Sequence, residues 1–110
     1  MAKAPTSIEA ATAFKFASLG SPIRLRLIRL LVRAGDGGMT VGELQRRLAL
    51  PASTHAHHLS ALVSAGLVGQ ERRGREIICT ADFPALRGLG EYLLDQCCIE
   101  ADKGAGDLAA

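Results

Sequence analysis

Residues 53–75, STHAHHLSALVSAGLVGQERRGR, join a polar helix start, an apolar helix body, a glycine stop and a basic hairpin in one uninterrupted stretch. Few folds use that succession. Ser53, Thr54, His55, His57 and His58 give the helix first turns rich in short polar side chains, while Leu59, Leu62 and Val63 give it a face for a core. Ser53 and Thr54 can also be read as caps alone, and His55, on the Leu59/Leu62 side, reads equally as a DNA contact or as partly buried. Gly66 stops it, and LVGQERR and EIICTADF then read as two strands joined around Gly74, with Arg73-Gly74-Arg75 at the tip. A helix offered by its N-terminal end beside a basic hairpin suits a helix laid in a DNA major groove. The wing arginines Arg72, Arg73 and Arg75 would then meet phosphate or the minor groove.

The rest of the chain builds a frame for that unit. From Thr6, Ile8, Ala11, Phe14 (or Ala13) and Ala17 fall at helical spacing, and Gly20 ends the run. Ser21 caps a second helix with Pro22 in its first turn, where a missing N–H is harmless. Its body carries Ile23, Leu27, Leu30 and Leu31 inward. Thr40 and Glu43 fit a capping box for a short third helix, VGELQRRLAL, and Pro51 separates it from a fourth helix at about Ala52 to Ser64. Pro84 opens a last helix, PALRGLGEYLLDQCC, with Leu86, Leu89, Leu93 and Cys97 along one side.

The expected fold is mainly α with a two-stranded β wing, a winged helix-turn-helix of order α-α-α-α-β-β-α. One domain spans 1–98, and the small, polar, Gly-rich stretch 99–110 reads as a flexible tail. The first and last helices are too apolar to sit wet on so small a domain, so they are expected to pair across a two-fold axis as a homodimer.

Composition narrows the function classes. With 48% hydrophobic residues but no Trp, one Tyr and three Phe, the core must be aliphatic. A formal charge of +2 does not by itself imply nucleic acid, but the arginines gather in one hairpin while Asp102 and Asp107 lie in the tail. No apolar run approaches the roughly 20 residues that span a bilayer, and MAKAPTSIEAA lacks a secretion signal's apolar segment. A cytoplasmic protein with reduced thiols is expected, with no membrane partner. No Ser/His/Asp grouping, Cys-x-x-Cys or Gly-rich phosphate loop appears, so neither an enzyme nor an organic cofactor is expected. His55 and His58 sit one helical turn apart, as two metal ligands would, but no Cys, Asp or Glu lies nearby to complete the set, and a metal there would cover the DNA-facing surface.

The run S-T-H-A-H-H-L-S-A-L-V-S-A-G-L-V, followed by RRGRE and II-C-T-A, resembles the ArsR family of winged-helix repressors, and SPIRLRLIRLL resembles that family's earlier helix. The likeness covers about residues 8 to 98. It implies a homodimer that binds double-stranded operator DNA and is released by an inducer. The chain departs from the family pattern at Ala56, where Ser is usual, and at His55, where an apolar residue is common.

Family members sense ligands at different places. A C-V-C thiolate site in the third helix is absent, since TVGEL has no cysteine, and residues 84–98 hold no His for a zinc site on the last helix. What remains is Cys97-Cys98, which resembles the C-C pair ending the last helix in arsenic-responsive members. Thiolates select soft centres, so the expected inducer is As(III) or Sb(III), as arsenite or methylarsenite. Cys79 has two readings: a third ligand, or a core residue sharing a face with Ile77. A thiol-based redox-responsive repressor, and a DNA-binding regulator whose cysteines are structural, stay open beside the metalloid reading.

Overall fold

The computed structural model describes residues 3–101. Nine elements follow in order: α1 (Ser7–Ser18), α2 (Pro22–Ala34), a 3-10 turn (Gly35–Gly37), β1 (Met39–Thr40), α3 (Val41–Leu48), α4 (Ala52–Ser64), β2 (Val68–Arg73), β3 (Glu76–Ala81) and α5 (Phe83–Leu94). This is the winged helix-turn-helix expected, with one added strand. The flexible tail assigned to 99–110 lies outside the described residues from 102 onward.

Local chemistry sets most boundaries. Thr6 and Glu9 form a reciprocal capping box on α1, at 2.7 and 3.0 Å. Ser21 caps α2 with Pro22 in the first turn. The box expected at Thr40 and Glu43 is only half made. Thr40 accepts the Glu43 N–H at 3.0 Å, but the Glu43 carboxylate turns to Arg46 and Arg47, at 2.8 and 2.9 Å. Two cations one turn on outcompete a single backbone N–H for that carboxylate.

β1 carries no periodic signal, being two residues long. It pairs antiparallel with β3, Met39 opposite Cys79 and Thr40 opposite Ile78, giving the sheet order β1-β3-β2. Gly38 makes the pairing feasible. Its φ is +69°, and a Cβ there would lie 2.2 Å from the Cys79 carbonyl oxygen. A side chain at position 38 would push β1 off the sheet.

The core is aliphatic, as the composition requires: Leu27 and Leu31 of α2, Leu44 of α3, Leu62 of α4 and Leu67 are fully buried, with Leu59 and Leu89 nearly so. On α2 the buried set is Leu27, Ile28 and Leu31, whereas Ile23 and Leu30 lie partly open. The apolar stripe expected along α5 leaves the core after Leu89. Leu93 is 66% exposed, and α5 ends at Leu94 rather than running on to Cys98. Among the described residues no helix is long and apolar enough to cross a membrane.

Candidate nucleic-acid interface and thiol pair

α3 and α4 are joined by Ala49, Leu50 and Pro51. Ala49 takes a left-handed conformation, φ 54°, to reverse the chain, and the Gln45 side chain donates to the Leu50 carbonyl at 3.1 Å. This fixes the angle at which α4 leaves the body. The N-cap of α4 is Pro51, which makes no side-chain cap bond, so Ser53 and Thr54 do not cap the helix. Their hydroxyls make no hydrogen bond among the described residues, with Ser53 exposed and Thr54 half-buried. The opening N–H groups of α4 are thus left for an anion, and the helix dipole favours one there.

The three histidines separate. His57 is exposed, and His58 is half-buried. His55, expected among the DNA-contacting residues, is 1% exposed and shares the buried face of α4 with Leu59 and Leu62. That placement corrects the expectation. At position 55 the 3.6-residue repeat points four residues back from Leu59, into the core, and packing keeps it there. Neither ring nitrogen of His55 has a partner among the described residues. A buried polar group left unpaired costs about 1–3 kcal/mol. His55→Leu is therefore expected to raise stability by an amount of that order, lifting Tm by several degrees at fixed protein concentration. A thermal melt in which the variant unfolds earlier than the parent would show that His55 is satisfied by other means.

His58 does not hang free. Arg24 of α2 donates its Nε–H to His58 Nδ1 at 3.1 Å, and a second guanidinium nitrogen reaches the Ser18 carbonyl at 3.5 Å. Burial, and after it the charges of Arg24, His57 and His55, hold the His58 imidazole below the usual histidine range. The neutral ring is favoured, and the stability tied to it is lost as pH falls through that lowered value. Sequence reasoning missed Arg24, because no local signal links residues 34 positions apart. The exposed Ala56 sits between these histidines.

The wing is a tight hairpin. Arg73 lies opposite Glu76, and Gly74, with φ 63°, turns the chain. Arg72, Arg73 and Arg75 are all exposed. Arg73 pairs with Glu71 at 3.1 Å, whereas Arg72 and Arg75 have no ion pair among the described residues. The positive field of the tip therefore rests mainly on Arg72 and Arg75.

The cysteines divide two and one. Cys79 is fully buried in the sheet, with Gln70 donating to its sulfur at 3.6 Å. Burial pushes its thiol above the ordinary range, and the Gln70 bond opposes that in part. The third-ligand reading of Cys79 is corrected: a ligand must be a reachable thiolate, and this sulfur is closed off from solvent with the Gln70 amide against it. Among the described residues no group of three His, Cys, Asp or Glu side chains is arranged to hold a metal ion.

Cys97 and Cys98 are both exposed, with sulfurs 3.2 Å apart. On a continuous helix neighbouring side chains would diverge by about 100°. Here Asp95 breaks away with ψ 133°, Gln96 and Cys98 take φ of 65° and 64°, and single turns close from Cys97 N–H to Leu94 and from Ile99 N–H to Gln96. Those left-handed residues swing the two sulfurs together. Their mutual hydrogen bond, and secondarily burial, raise the Cys97 thiol above its ordinary value.

Comparison with known proteins agrees with this architecture. Residues 19–71 match the model of a family described as a helix-turn-helix domain. The chain is 32% identical over 98 residues to the HTH-type transcriptional regulator CmtR of Mycobacterium bovis and Mycobacterium tuberculosis, covering 82% of this chain and 80% of that one. An ArsR-like transcriptional regulator from Rhodococcus sp. RHA1 superposes with a TM-score of 0.73 at 28% identity, covering 89% of each chain. A homodimeric winged helix-turn-helix DNA-binding domain from Mycobacterium bovis gives 0.67 at 21% identity, covering 88% of this chain and 93% of that one.

Proposed function

Because the chain belongs to the ArsR family of winged-helix transcriptional regulators, we propose that it is a cytoplasmic homodimeric repressor released from operator DNA by trivalent arsenic or antimony. The residues expected to meet DNA are Ser53, Thr54, His57 and His58 at the start of α4, with Arg72, Arg73 and Arg75 on the wing. Two reading helices engaging one duplex face would set half-sites roughly 34–36 Å apart. The dimer reading is supported by large apolar side chains left exposed on α1 and α5 (Ile8, Phe14, Leu93 and Leu94), and by the homodimeric state of the M. bovis domain that shares the fold. One domain carries both tasks, with the stretch beyond Cys98 as a tail.

One observation carries the metalloid reading: two exposed, unoxidised thiols held 3.2 Å apart where the chain leaves α5. That is a separation across which one soft atom can bond both sulfurs. The chemistry balances without an oxidant. Arsenite, As(OH)3, exchanges two hydroxyls for two thiols: two S–H bonds break, two As–S bonds form, and two waters leave. A monomethylated trivalent arsenical loses both of its hydroxyls in the same way, which suits a pair lacking a third sulfur. Linkage requires the inducer to bind the DNA-free dimer more tightly than the bound one. Thiols that directly follow a terminal helix with an exposed apolar surface, Leu93 and Leu94 of α5, give a route for that difference.

The test is an operator-release titration with arsenite, antimonite, methylarsenite, zinc and peroxide in parallel. Release by the trivalent arsenicals and antimonite, with none by zinc or peroxide, is expected. Release by peroxide alone, reversed by a dithiol, would move the assignment to a redox-responsive repressor. The salt dependence of operator binding tests the wing. Arg72→Ala and Arg75→Ala should each flatten the slope of log affinity against log salt by about 1. Arg73→Ala should change it less, since Glu71 already shares its charge. Slopes unchanged from the parent in all three variants would remove the wing from the interface.

A further inference from the structure

The geometry points to Arg24 as a positioning residue for DNA recognition: its Nε–H holds the reading-helix imidazole of His58 in one orientation and one protonation pattern, so that only the outer nitrogen is offered to the duplex. This rests on α4 being the DNA-facing helix, as proposed above. An arginine Nε always carries its hydrogen, so the His58 nitrogen 3.1 Å away must accept. Nδ1 is then unprotonated, and in the neutral ring the proton sits on Nε2. That nitrogen has no partner among the described residues and, unlike both nitrogens of His55, is not sealed from solvent. His58 is thereby a fixed donor, complementary to a phosphate oxygen or to a major-groove acceptor (guanine O6 or N7, adenine N7, thymine O4), and unable to accept from the exocyclic amines of adenine or cytosine.

The hold is structural on both sides. Arg24 lies in the first turns of α2, where its own N–H meets the Ser21 cap at 3.4 Å, and its guanidinium bridges from the last turn of α1 (the Ser18 carbonyl) to α4. It has no acidic partner among the described residues, so its ring contact is not an accident of an ion pair made elsewhere. The charged and titratable groups near the His58 ring are Arg24 from α2 and His57 and His55 from α4. The His57 ring stands edge-on at 5.5 Å. Protonating His58 would remove the acceptor from Arg24 and set two cations side by side. The same contact ties the reading helix to the end of α1, so a change at the terminal helices has a direct hydrogen-bonded path to one reading residue.

A double-mutant cycle on the full chain tests this, with operator affinity measured for the parent, Arg24→Met, His58→Ala and the double variant. Arg24→Met should lower operator affinity by roughly fivefold to tenfold, the size of one polar contact, and should add almost nothing once His58 is Ala. Fully additive losses would mean that Arg24 acts on DNA by its own charge, which overturns the proposal. Arg24→Lys keeps the charge but not the planar Nε donor, and parental affinity in that variant would overturn it too. If neither His58→Ala nor His57→Ala changes affinity while the protein still binds the operator, it is the DNA-facing assignment of α4 that fails. NMR titration of the His58 ring in DNA-free protein gives a readout independent of DNA. Its titration should move up toward the ordinary histidine range in Arg24→Met, and an unchanged midpoint would refute the contact.

Discussion

Replacing either Cys97 or Cys98 by Ser is expected to leave operator binding intact and abolish its release by arsenite. Both side chains are exposed and lie beyond the last residue of α5, so neither substitution opens a cavity or removes a core contact. Serine keeps the shape but replaces a soft, ionisable sulfur by a hard hydroxyl that stays protonated at neutral pH. One sulfur alone cannot chelate. Couplings between effector and operator of about 1–3 kcal/mol correspond to 5–150-fold weakening of DNA binding, and that whole factor should collapse to near unity in either variant. A Cys97→Ser protein that still leaves its operator on arsenite addition would sink the thiol-pair site. Cys79→Ser makes the matched control: release should persist, since Cys79 is sealed in the core. The kinetics carry a sign as well. Thiolate is the attacking form, and Cys97 is held above its ordinary value, so the rate of arsenite capture should climb with pH throughout the neutral range. Stopped-flow release at several pH values would measure it.

The second large effect concerns the terminal helices. Leu93→Glu is expected to yield a folded monomer with operator affinity lowered by 10²–10⁴-fold. Leu93 is 66% exposed in the single chain, so a carboxylate there does not disturb the core formed by Leu27, Leu31, Leu44 and Leu62. Set against a second copy, the same carboxylate would be buried without a partner. Two reading heads on one scaffold gain affinity because the second contact is intramolecular, and a monomer forfeits that factor. Sedimentation or light scattering gives the assembly state, and duplex titration the affinity. A variant that stays dimeric and binds as the parent does would move the dimer interface away from α5.

These two expectations draw on very different information. The extent of α4, the hairpin after it and the caps of α1 and α2 are all written within a few residues of where they act. A Ser before a Pro, a Gly after an apolar run or a Thr three residues before a Glu acts through bonds that close inside one turn. Hence Ala52–Ser64 is found at its expected limits, and the wing turns at Gly74. The thiol pair is equally visible, since adjacency in the chain is adjacency in space. The convergence of its sulfurs is not, because it depends on Gln96 and Cys98 adopting left-handed backbone after an early helix end. A run of helix-compatible residues gives no local reason for that end.

The amino-acid order alone thus placed the five helices and the two wing strands, though not β1 or the early end of α5, and named the candidates for meeting DNA or a soft ion. The tertiary structure decided which of those residues are available. Helical spacing already set His55 on the side of Leu59 and Leu62, but only packing sealed it there, and only packing brought an arginine 34 positions away onto His58. Cys79 could be read from the chain as a ligand or as a core residue, and only the packed fold, where it is fully buried on β3 beside β1, decided for the core. Helix caps and turns are short-range and are fixed by chain neighbours. Burial and cross-element hydrogen bonds exist only once distant segments have packed, and accessibility is what turns a polar or soft side chain into a binding group.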